Sequence, residues 1–273
     1  MFTSIVVALD LEREGDRALP IARSLSALTD VSVKLLTVHS PGLPTGPDAL
    51  ELGGRASANG WPADSYTILE DNDPASAIVE YVNSRPGTLL IMSTTARSPI
   101  RQLFLGSVSE AVLSGIDGPV LLVGPHVPAA TDLSRPTLVA CVDSTDAAAR
   151  ALPVITSWVH TFKSATPWVV EVLPASIAAL GVGRDRTESA YVHFLARRLL
   201  ESNVVASWEV LHGADVGERL EEFIGTVDDP VLVATSTNWT DDHTHWHSTT
   251  RRLVQRSTRP VLVIPGQRDT SPR

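Results

Sequence analysis

"IVVALDLEREGDRALPI", residues 5–21, returns 133 positions later as "LVACVDSTDAAARALPV", residues 138–154. A short β-branched run, an aspartate and an Arg-Ala-Leu-Pro helix start recur in the same order, so Asp10 falls on Asp143. Repetition at a fixed offset is the mark of a duplicated structural unit. At the same offset "LLTVHSP" (35–41) falls on "WVVEVLP" (168–174). At 142, "LEDNDPASAI" (69–78) matches "LHGADVGERL" (211–220), and "LLIMST" (89–94) matches "VLVATS" (231–236). At 141, "PVLLVGP" (119–125) parallels "PVLVIPG" (260–266). The drift places about nine extra residues between the second and third strand-like runs of the second copy, and one fewer later. Two homologous domains follow, expected over 1–127 and 135–266.

Within each copy, nearly all-apolar runs such as "SIVVAL", "TLLIMS" and "PVLLVG" read as strands buried on both faces of a parallel sheet. Between them lie helix patterns. Leu19, Ala22, Leu25 and Leu28 make one apolar stripe. Asp73 before Pro74 is an N-cap followed by a proline tolerated in the first turn. The expected order is close to β-α-β-α-β-β-α-β. The fold class is therefore α/β, with two doubly wound domains on mainly parallel five-stranded sheets. The runs "PVLLVG" and "PVLVIP" would leave exposed sheet edges. A tandem chain can pair them internally at high effective concentration. A pseudo-two-fold pair is predicted, with Val120–Val123 beside Val261–Ile264. The residues 124–136 between the copies are rich in proline and small side chains.

Bulk properties narrow the function. With 22 basic and 31 acidic residues the net charge is −9. The first 133 residues hold 8 basic and 15 acidic, the remainder 14 and 16. Neither half carries the basic footprint of a nucleic-acid binder. No apolar run reaches the ~18 residues of a membrane span. A single cysteine, Cys141, allows no internal disulfide, which fits a reducing cytoplasm. Nucleic acid and membrane are therefore not expected as partners, which leaves other proteins or a second copy. Five of the six tryptophans lie in the second copy, where they supply core or interface area.

An α/β unit that begins "IVVALD", contains an Asp-Pro helix start and ends "FLGSVSEAVLSGIDGPVLLVG" (104–124) resembles the universal stress protein family. The duplication resembles its tandem members. The resemblance implies a site for ATP or AMP in the first domain. The family motif places three glycines before a Ser or Thr; counted back from Gly106 and Ser107, the other two fall on Ser93 and Ala96. It implies further contacts from Asp10, Val38 and Val108, with Arg97 close by. Glycine gives backbone N–H groups access to a phosphate with no Cβ between. A side chain at Ser93 or Ala96 narrows that approach, and at a position needing positive φ it adds strain of about 1 kcal/mol or more.

Each residue also has a reading without ligand. Ser107 and Glu110 in "SVSE" form a capping box, on a helix start that is also an anion site. Asp10 caps a turn, in an acidic stretch read as solvated, or meets a ligand at the carboxyl end of its strand. In the second copy the motif glycines fall near Thr235 and Asn238, and His247 stands in the place of Gly106. Asp143 there caps the next helix. The run from Asp241 and Asp242 through His243, His245 and His247 has metal-ligand chemistry. Its alternating spacing fits no standard closed site, so a polar loop is expected and no metal. No Walker A run, G-x-S-x-G or H-E-x-x-H occurs, so no catalytic residue is assigned. The sequence thus points to a stress-response protein acting by binding, with no required cofactor and a degraded nucleotide loop in the first domain. The alternative is an ATP- or AMP-binding regulator with slow hydrolysis.

Overall fold

Strands and helices alternate in both halves of the chain, apart from two consecutive helices after the first strand of the second half, in a computed structural model that describes residues 1–11, 16–94, 107–143, 146–174, 190–235 and 249–266. The first half runs β1 (Ser4–Ala8), α1 (Ala18–Ala27), β2 (Ser32–His39), α2 (Gly46–Ala58), β3 (Tyr66–Glu70), α3 (Pro74–Asn83), β4 (Thr88–Ser93), α4 (Ser107–Gly115) and β5 (Val120–Val123). The second runs β6 (Thr137–Val142), α5 (Asp146–Ala149), α6 (Ala151–Phe162), β7 (Trp168–Leu173), α7 (Ala190–Glu201), β8 (Ser207–His212), α8 (Val216–Ile224), β9 (Pro230–Thr235), α9 (Thr249–Arg256) and β10 (Val261–Ile264). The expected order has three helices per unit, against four described in the first and five in the second. In the first, two adjacent glycines weaken the propensity of "GPDALELGGRASA", but full burial of Leu52 and Ala56 holds α2 on the sheet.

The strand order is β3-β2-β1-β4-β5-β10-β9-β6-β7-β8, the two five-stranded sheets joined edge to edge into one of ten strands. All pairs are parallel except β5 with β10, which is antiparallel. At that seam Leu121 faces Leu262, Val120 faces Val263 and Leu122 faces Val261. Leu121 and Leu262 are themselves equivalent in the repeat, so the pseudo-two-fold axis passes between them. The predicted edge pairing is therefore present, and it removes two unpaired edges at once.

Strand register corrects one alignment. Val6 pairs with Lys34, and its equivalent Val139 pairs with Trp168. The offset at β2 and β7 is thus 134, not 133. Leu35 and Val169 share one core layer, Leu36 and Val170 the other. A slip of one residue would exchange these faces. Val38 therefore corresponds to Val172, and Thr37 to the buried Glu171.

The core forms two layers, one on each face of the sheet. Both cross the seam. Phe2 stacks on Phe162 (5.7 Å between centroids, 28°) and meets Trp158 edge-on (6.2 Å, 87°). Its backbone N–H donates to Thr161 Oγ1 at 3.1 Å. Trp158 is thus a core residue, whereas Trp208 is 42% exposed. The connection between the halves is pinned over α1. Arg17 donates to the Pro125 carbonyl, Ser24 donates to Asp132, and Val127 and Leu133 are buried.

Candidate functional site

Strand order within the first unit reverses between β1 and β4. The crevice beyond the carboxyl ends of these strands is where open α/β sheets take ligands. Asp10 lies two residues past β1 and is exposed. Ser93 ends β4, partly buried, opposite Val123 of β5. Val38, partly buried, packs toward the layer that contains α3 and α4. Ser107 opens α4 on the surface, and Val108 is half-buried behind it. Five of the eight expected contacts therefore converge on the carboxyl edge of one unit. Ala96, Arg97 and Gly106 lie outside the described residues.

Ser93 sits in extended backbone within the strand ladder and is not among the residues with positive φ. The serine thus carries no left-handed strain; its effect is confined to the space and polarity of its side chain. Thr235 holds the equivalent place at the end of β9, opposite Ile264. Asp143 follows β6 and is exposed, as Asp10 follows β1.

Several neighbouring contacts have no distinct signal in the sequence. Leu11 adopts φ 59°, and its carbonyl accepts from Arg55 Nη2 at 3.0 Å. Arg55 also pairs with Asp16 at 3.0 Å and Glu51 at 2.8 Å. The acidic stretch after Asp10 was expected to be solvated, yet Asp16 is committed to this arginine. One guanidinium from α2 thereby holds both Leu11, next to Asp10, and Asp16. Beside Val38, His39 Nδ1 lies 2.7 Å from Asp48 Oδ2 and ties the end of β2 to the first turn of α2. Glu110, expected only as a capping residue, also pairs with Arg251 of α9 at 3.0 Å.

The helix starts follow the sequence closely. Asp73 accepts from the Ala75 and Ser76 N–H groups at 3.0 and 3.3 Å. Asp215 repeats the cap on α8, accepting from Gly217 at 2.9 Å and Glu218 at 3.3 Å. Asp215 adds a pair to Arg252 at 2.5 Å. The Ser76 hydroxyl holds the Asp73 carboxyl below its ordinary range, and Arg252 does the same for Asp215.

Among the described residues no group of three or more His, Cys, Asp or Glu is placed to hold a metal ion. His243, His245 and His247 lie outside them. No helix among the described residues is long and apolar enough to cross a membrane.

The sequence model of the universal stress protein family matches residues 1–124. A universal stress protein of Methanocaldococcus jannaschii is 33% identical over 66 residues, which span 24% of this chain and 39% of that protein. The crystal structure of a universal stress protein from Archaeoglobus fulgidus aligns over 97% of both chains, with 18% identity and a TM-score of 0.68. A universal stress protein from the same organism, solved in complex with dAMP, aligns with 48% of this chain and 98% of its own at 18% identity and a TM-score of 0.38. Residues 1–124 thus match the domain of the universal stress protein family, and the second half repeats the strand order of that domain.

Proposed function

We propose that this chain is a cytoplasmic stress-response protein that acts by binding and interaction rather than by catalysis, with domains over 1–127 and 135–266. The observation that carries the reading is the side chain at the end of the fourth strand of each unit. Ser93 and Thr235 stand where the family motif has its first glycine, both in ordinary extended backbone. A hydroxyl side chain there carries no left-handed strain, and it would narrow the approach of a phosphate to backbone N–H groups. The exposed surfaces of the paired units then serve protein partners, and no cofactor is required.

A second reading is favoured by the switch-point crevice itself. Asp10 and Ser93 flank it, and the start of α4 lies on the same edge. ATP or AMP would there meet Asp10 and Val38 on the nucleoside side, and Arg97, Gly106, Ser107 and Val108 on the phosphate side.

Native mass spectrometry of the purified full chain, followed by ATP and AMP titration in a calorimeter, separates the two. The expected outcome is an empty protein that ignores millimolar nucleotide. A stoichiometric adenine nucleotide, lost in Asp10→Ala, would establish the second reading instead.

A further inference from the structure

Leu121 and Leu262 face each other across the seam at an offset of 141. Glu110 and Arg251 are separated by the same offset and also meet, at 3.0 Å, with side chains only 24% and 13% exposed. Residues related by a two-fold axis contact their own equivalents. In a homodimer of first units Glu110 would face Glu110; in one of second units Arg251 would face Arg251. Opposite charges at this position exist only when unlike units pair.

The aromatic contact at the seam has the same asymmetry. Phe2 packs on Trp158 and Phe162. By the repeat offset its equivalent is Arg135, and theirs are Leu25 and Thr29. Pairing two second units would place a charged residue, Arg135, where the apolar Phe2 ring now packs on the rings of Trp158 and Phe162.

We infer that the seam is a heterotypic recognition surface. The β5 edge of the first unit selects the β10 edge of the second and rejects a second copy of itself. Discrimination comes from charge reversal at the axis position, where like charges are held close and partly desolvated. The tether alone does not specify the pairing; the two faces do.

The test uses the full chain with a protease site inserted between Ala129 and Ala130, both exposed. After folding and cleavage, the protein is unfolded in urea, refolded and weighed by native mass spectrometry. The ratio of mixed pairs to homodimers should exceed the statistical ratio by about tenfold or more, as expected for like-charge exclusion. Glu110→Arg places Arg against Arg in every pairing, so homodimers should rise several-fold. Adding Arg251→Glu should remove them again. A statistical mixture in the unsubstituted protein, or no response to either reversal, overturns the inference. A second measurement on the uncut chain covers fragments that fail to refold. Each single reversal should lower the thermal midpoint and the double reversal should recover it; a double variant as unstable as the two losses combined also overturns the inference.

Discussion

Gly124 lies so close to α9 that a β-carbon on it would fall inside the van der Waals shell of the Val254 carbonyl oxygen. The glycine follows β5 of the first unit, whereas Val254 belongs to the second. The approach of two backbones across the seam therefore requires this residue to lack a side chain. Gly124→Ala should cost about 1–3 kcal/mol, the usual range for overpacking where rigid backbone is the obstacle. Urea unfolding of the full chain measures it, and unchanged stability would mean that the seam yields to one methyl group.

Phe2 makes the matching prediction on the other core layer. Its ring is 6% exposed and covers Trp158 and Phe162. Phe2→Ala should lose about 3 kcal/mol or more, as expected for a buried aromatic truncated to a cavity. Trp158 fluorescence should shift to the red as water reaches the indole. A blue-shifted spectrum with full stability would show that neighbouring side chains refill the space.

The two aspartate caps set an acid limit. Asp73 and Asp215 both have carboxyls held below the ordinary value of 3.8, by Ser76 and Arg252 respectively. A depressed native value stabilises the fold at pH above the unfolded value, and this is lost as pH falls through the native one. Asp73→Asn keeps an acceptor for the helix N–H groups but does not titrate. Its urea midpoint should depend less on pH below the carboxylate range than that of the unsubstituted protein. Equal slopes would remove Asp73 from the acid response.

Cys141 should be inert while the protein is folded. Burial pushes its thiol up to about 12, with the Glu221 charge adding to it. The residue as a whole is only partly buried, but its side chain packs against the layer containing α8 and α9. Thiolate is the reactive species, so iodoacetamide at pH ~8 should label the cysteine only after unfolding. Rapid labelling of native protein would contradict this placement.

Much of the fold was legible because the evidence for it is local and repeated. The strands around Val6 and Val139 are continuous apolar runs, and Asp73 stands directly before a proline helix start. Two features escaped. The helix containing Gly53 and Gly54 has poor propensity, and only Leu52 and Ala56 reveal its burial. The register at Val38 could be shifted by one residue without spoiling the match of letters, because β2 and β7 carry apolar residues on both faces and so mark neither face by alternation. Only the pairing of Trp168 with Val139 decided which face each takes.

The site divides along the same line. The sequence alone led to the proposal that Ser93 and Ser107 stand at family motif positions, since that rests on counting residues from Gly106. It also determined that the chain is a tandem pair, because duplication is written in the order of its motifs. Tertiary structure alone decided that Arg55 meets both Leu11 and Asp16, that Ser93 carries no left-handed strain, and that Glu110 meets Arg251. Such contacts join residues far apart in the chain. Nothing in the spacing of charged side chains records which of them the packed sheet will bring within hydrogen-bonding distance.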